Sequence, residues 1–112
     1  MTCEGKRHKV AIHELKTWPV YFGAIVAGRK SVELRLNDRD YRVGDILALR
    51  EWEPPPKPSS HISPLWGDKY TGRLVLAKVK HILEPVGPME DILPEDWIAM
   101  SIEVISVEEG EG

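Results

Sequence analysis

The densest chemistry in the chain lies in Gly28-Arg29-Lys30-Ser31-Val32-Glu33-Leu34-Arg35. Lys30 and Arg35 are cations suited to phosphate or a carbonyl oxygen, and an arginine fork can grip either with two hydrogen bonds. Glu33 between them is an acceptor for an exocyclic amine or ring N–H, the contact that reads a base where phosphate contacts cannot. Val32, Leu34 and Leu36 alternate with Ser31, Glu33 and Arg35. Period-2 alternation predicts a half-buried strand, with the three apolar side chains toward a core and Glu33 and Arg35 on the opposite face. Two residues along a strand span about 7 Å, within reach of one ligand. The plain alternative is a solvated ion pair contributing at most about 1 kcal/mol. A ligand-facing trio predicts that Lys30→Ala or Arg35→Ala loses affinity while Tm stays nearly unchanged. If the chain is catalytic, Lys30 and Glu33 are the acid–base pair to test.

Other side chains border this stretch. Asn37-Asp38-Arg39-Asp40 is turn chemistry, and Arg39 is the member that could edge a cleft. Among the aromatic residues, Trp18 and Trp52 are the best placed to stack on a base. His13, beside Glu14 and Lys16, is either a cleft residue or a satisfied structural histidine. His8, His13, His61 and His81 show no metal-ligand spacing, and the single Cys3 completes no zinc set. No metal and no cofactor are expected. Ser31 and Thr71 have no base nearby in sequence to activate them.

These residues need a frame to hold them. Residues 9–15 read as a first strand. Thr17-Trp18-Pro19 then opens a short helix, because proline is favoured in a first helical turn. Tyr21 with Ile25 and Phe22 with Val26 make apolar i, i+4 pairs, and Gly28 is a fitting C-terminal stop. Residues 31–36, 46–52, 74–83 and 98–105 read as four more strands. The apolar run at 46–52 suggests burial on both faces, and Ile98, Met100, Ile102 and Val104 share one face of the last. A helical turn is expected near residues 94–97. Five strands with turn-like or long connections predict a mostly β, α+β fold: a mixed or antiparallel sheet curled into a small barrel, covered by one or two helices.

At 112 residues the chain fits one domain, expected over 8–107, with flexible tails at 1–7 and 108–112. Pro54-Pro55-Pro56-Lys57-Pro58 cannot join a sheet ladder, so a Pro-rich insertion is expected at about 53–69. A lone cysteine, no signal-like N-terminus and no apolar run of about 18 residues point to a soluble cytoplasmic protein rather than a membrane or disulfide-stapled one. The net charge of −3 is uneven: residues 1–50 hold ten Lys/Arg against six Asp/Glu, and residues 51–112 hold five against twelve. Any nucleic-acid contact is therefore expected to be local and pocket-like rather than a broad basic stripe.

His13-Glu14-Leu15-Lys16, the run from Ala27 to Arg35, Asn37-Asp38-Arg39-Asp40-Tyr41-Arg42-Val43-Gly44-Asp45, Tyr70-Thr71-Gly72-Arg73 and Met100-Ser101-Ile102 together resemble the ASCH domain family, and within it the phage and bacterial DUF3850 branch. The resemblance covers most of residues 8–105; the Pro-rich insertion departs from it. It implies a PUA-like barrel and a cleft beside the Gly-x-Lys motif that takes RNA or a modified nucleoside. One ASCH branch resembles an amidohydrolase of N4-acetylated cytidine that uses a Lys and a Thr of the motif and a distant Glu. Lys30 matches the Lys, but Glu33 stands at the Thr position, so the hydroxyl nucleophile is missing. Another ASCH protein cleaves RNA. The expectation is an RNA- or nucleotide-binding module. Its alternatives are a small hydrolase on a modified nucleoside or RNA, and a module that takes a protein partner through its Pro-rich loop as a polyproline ligand.

Overall fold

The computed structural model describes residues 9–54 and 69–110. Five strands and one helix follow in order: β1 (Ile12–Thr17), α1 (Pro19–Val26), β2 (Val32–Leu36), β3 (Ile46–Trp52), β4 (Tyr70–Leu83) and β5 (Trp97–Glu108), with a 3-10 turn at Gly87–Met89. The strands make a single sheet in the order β1-β3-β4-β5-β2. β1 runs parallel to β3, and every other pairing is antiparallel. The sheet curls until its two edge strands approach: Arg35 of β2 donates to the Lys16 carbonyl of β1 at 3.0 Å. The result is the expected mixed sheet, curled into a half-barrel with a seam between β1 and β2.

Inside the curl lie Leu15 of β1, Phe22 and Ile25 of α1, Leu47 and Leu49 of β3, Val75, Ala77 and Val79 of β4, and Ile98, Met100 and Ile102 of β5. Leu47, Ala48 and Leu49 are buried in succession, as the apolar run predicted for a strand covered on both faces. Val104 is left exposed, beside the register shift between Leu76 and Ala77 where β4 meets β5. Pro19 begins α1, and Gly28 ends its C-terminal turn with φ +82°, a conformation in which a side chain would be strained.

Two expectations are corrected. β2 forms where the alternation placed it, but its faces are reversed. Val32, Leu34 and Leu36 are exposed, Leu34 by 55%, while Glu33 is only 4% exposed and Arg35 half-buried. Glu33 pairs in register with buried Met100, and Arg35 with Ile98. Periodicity marks which residues share a face; the pairing of the strand decides which face turns inward. The 3-10 turn sits at Gly87–Met89, and near 94–97 there is only a hydrogen-bonded turn from Trp97 N–H to the Pro94 carbonyl.

Glu53 and Lys69 pair across the root of the insertion, Glu53 N–H donating to the Lys69 carbonyl at 2.9 Å. Residues 55–68 lie outside the described residues, as do 1–8 and 111–112. Glu108 still belongs to β5, and Glu109 accepts from Arg73 Nε at 2.9 Å. No helix among the described residues is long and apolar enough to cross a membrane.

Candidate functional site

The seam is where the charged trio converges. Gly28 turns the chain out of α1, and the amides of Arg29 and Lys30 donate to the Ala24 carbonyl at 2.9 and 3.1 Å. That cap fixes where Lys30 leaves the helix. The Lys30 ammonium contacts the Glu33 Oε1 carboxylate oxygen and the Val32 carbonyl. The Arg35 guanidinium donates to Glu33 Oε2 through Nε at 3.1 Å and Nη2 at 3.0 Å. Glu33 is thus a buried carboxylate clasped on both oxygens. The same Nη2 reaches the Lys16 carbonyl and, at 3.5 Å, the Thr17 hydroxyl.

Lys30, Glu33 and Arg35 line one cavity of about 560 Å³, within the roughly 300–1,000 Å³ of small-ligand sites. The cavity runs over the free edge of β2, so Val32 and Leu34 contribute from the outer face. Trp18, the residue capping the start of α1, and Tyr21 in its first turn form an aromatic lip, and Lys16 and Thr17 of β1 close the far side. Both aromatics are about half exposed, 47% and 51%. Lys30 Nζ lies 5.9 Å from the centre of the Tyr21 ring. Two lysines, one arginine and one carboxylate leave the cavity with net positive charge.

The other candidates lie elsewhere. His13 does not line this cavity. Its Nε2 meets Asp45 Oδ2 at 2.8 Å and its ring packs on Tyr41 with centroids 4.7 Å apart. Asp45 also accepts from the amides of Ala11 at 3.2 Å and Arg42 at 3.0 Å, which ties β1 to the entrance of β3. Burial pushes the Asp45 carboxyl up, but the His13 hydrogen bond and the two amides together outweigh it and hold the group below its ordinary value. Arg39 donates to the Glu14 carbonyl at 2.8 Å, beside the cavity rather than in it. Trp52 carries the Lys16 ammonium 4.6 Å over its ring and also stands outside the cavity lining. Glu51 is a second buried carboxylate, held by the Thr71 hydroxyl at 2.8 Å and Arg73 at 3.5 Å, away from the cavity. Glu103, a residue of β5, is exposed and pairs with Lys80 at 3.5 Å.

The geometry changes one expectation. Replacing Arg35 would leave Glu33 buried with half its partners and remove a tie across the seam, so an unchanged Tm is not what this arrangement predicts. Sequence reasoning also missed Thr17. Read as the start of the helix, it is the inward residue two places after Leu15, so the alternation of β1 already contained it. Tyr21 was legible as the residue one helical turn beyond Trp18.

A half-barrel with a charged, aromatic-lipped cavity at its open seam is the class that fold and site define. The chain belongs to the family described as "Domain of unknown function (DUF3850)", whose profile matches residues 12–102. It is also similar to a protein of Escherichia phage P2 described as "Uncharacterized 12.9 kDa protein in GpA 3'region", at 32% identity over 80 residues, or 71% of this chain. The match spans 62% of that relative's length.

Proposed function

We propose that the protein is an RNA- or nucleotide-binding module of the ASCH type, built on a PUA-like barrel, which holds a base or modified nucleoside in the seam cavity. The observation that carries the reading is the buried Glu33 carboxylate, fixed by Lys30 and Arg35 on the wall of a cavity whose lip is Trp18 and Tyr21. Half-exposed aromatic rings give a base a stacking surface that water alone does not occupy well. Three hydrogen bonds fill most of the roughly four acceptor sites of the clasped carboxylate; the remaining one would take an amine or ring N–H, and the flanking cations suit carbonyl oxygens. Preorganisation by neighbouring charges means that the acceptor needs no reordering when a ligand arrives.

The test is an NMR titration of the full chain with the four ribonucleosides, N4-acetylcytidine and short single-stranded RNAs. The reading expects amide shifts at Trp18, Tyr21 and residues 30–35. Trp18→Ala and Tyr21→Ala should each weaken binding by about 1–3 kcal/mol and lower Tm only modestly, since both residues are already about half exposed. Silence from every compound at these residues overturns it. Product analysis of the same mixtures separates a binder from a hydrolase, because turnover that vanishes in Lys30→Ala would move the protein into the enzyme class.

A further inference from the structure

We infer that the recess on the other side of Arg35 is an anion subsite that takes the phosphate of the same ligand, so that the molecule bound at the seam is a phosphorylated nucleoside rather than a free one. The inference rests on the base-binding reading above for its ligand, but its own observations are separate.

The recess measures about 380 Å³ and is lined by Lys16, Arg35, Arg39, Arg50 and Tyr70, with Glu14 its one carboxylate. It shares Lys16 and Arg35 with the seam cavity, so the two spaces adjoin across those side chains. Its cations come from three strands and a loop. Lys16 and Arg50 are direct register partners on the parallel strands β1 and β3. Like charges directly opposite one another in a sheet are destabilising. Here neither is properly discharged. Among the described residues Lys16 has no carboxylate partner, and Arg50 reaches only Glu14, at 3.8 Å, on a mostly exposed side chain.

Both cations are nonetheless held in place. Lys16 lies over the Trp52 ring, and the Arg50 guanidinium stacks 3.8 Å from the centre of the Tyr70 ring. An aromatic face orients a cation without neutralising it, and it leaves the N–H edge of a stacked guanidinium open to an acceptor. Arg39 is pinned by its bond to the Glu14 carbonyl, and among the described residues its one ion-pair partner, Asp38, is 3.9 Å away. Of these four positioned positive charges Arg35 is balanced by Glu33, while Arg50 and Arg39 meet only the exposed Glu14 and Asp38 carboxylates, at 3.8 and 3.9 Å, and Lys16 meets none among the described residues. A phosphate supplies the missing negative charge and accepts from several donors at once. A base stacked on Trp18 and a phosphate at Lys16 and Arg50 would place the sugar beside Arg35, which both spaces share.

The experiment is an NMR titration of the full chain with inorganic phosphate, followed by affinity measurements for nucleosides, their 5′-monophosphates and the matching 3′,5′-dinucleoside monophosphates. Inorganic phosphate should shift Lys16, Arg50 and Tyr70 and leave Trp18 and Tyr21 unmoved. A phosphorylated ligand should bind at least about tenfold tighter than its nucleoside, with a gain that shrinks as salt rises. In Arg39→Gln/Arg50→Gln, two residues that line the recess and not the seam cavity, that gain should largely disappear while nucleoside affinity stays at the parent level. A gain confined to 5′-monophosphates assigns the subsite to free nucleotides; an equal gain for dinucleoside monophosphates assigns it to an RNA backbone. Phosphate shifts at Lys16 and Arg50 without any nucleoside binding would keep the subsite and sink the base-binding reading. No phosphate shift together with equal affinity for nucleoside and monophosphate overturns the subsite. Should the double variant fail to fold, the phosphate titration of the parent chain decides by itself.

Discussion

At the scale of single residues, the seam is dominated by Glu33. A carboxylate only 4% exposed survives because each oxygen has a cation, and Arg35 alone supplies two of the hydrogen bonds. Arg35→Ala should cost about 2 kcal/mol, below the roughly 3–5 of a fully buried broken pair because Lys30 remains and Arg35 is partly solvated. Chemical denaturation of Arg35→Ala in the parent and in Glu33→Gln tests the mechanism. The loss should be smaller in the Gln background, where no charge is left unpaired, and equal losses would mean that the carboxylate is not the cause. The His13–Asp45 contact makes a pH prediction. The Asp45 carboxyl titrates lower in the fold than its ordinary 3.8, so the unfolded chain binds the proton first. Its stabilisation is present above 3.8 and is lost as pH falls through the lower folded value. Denaturation curves of Asp45→Asn should therefore depend less steeply on pH in that acid range than those of the parent.

At the scale of elements, the α1–β2 junction sets the site. Gly28 at φ +82° has open space where a Cβ would sit, so a substitution there meets backbone strain and no clash. Gly28→Ala should destabilise by about 1–2 kcal/mol, with Gly28→Asn milder because Asn tolerates this conformation. Since the same turn delivers Lys30, the Ala variant should also weaken ligand binding beyond what its stability loss explains, as titration at a temperature well below its Tm would reveal. The far end of the sheet has a tighter constraint. A Cβ at Gly110 would lie 2.5 Å from the Gly72 backbone, which packs the residue after Glu109 against the start of β4.

At the scale of the whole molecule, the half-barrel is closed by side chains rather than by a ladder. Arg35 and Arg39 donate to the carbonyls of Lys16 and Glu14, two residues apart on the free edge of β1. They occupy acceptors that a neighbouring strand would otherwise use. Hydrogen exchange should therefore show lower protection in β1 and β2 than in the central strands β3, β4 and β5. A ligand that spans the seam should raise protection in both edge strands together. A rise confined to one strand would place the ligand off the seam.

The strands, the helix and its stop were legible along the chain, because alternation, a first-turn proline and a glycine are local signals acting through backbone sterics. Residues 30, 33 and 35 were recognisable as a trio for the same reason: their spacing along a strand is fixed before folding. The tertiary structure alone decided that Glu33 and Arg35 face inward while Val32, Leu34 and Leu36 face outward, since a strand's two faces are equivalent until its partner is chosen. It also brought Lys16, Arg50 and Tyr70 together from β1, β3 and β4, a convergence that depends on register across a sheet and that leaves no mark on neighbouring positions in the sequence.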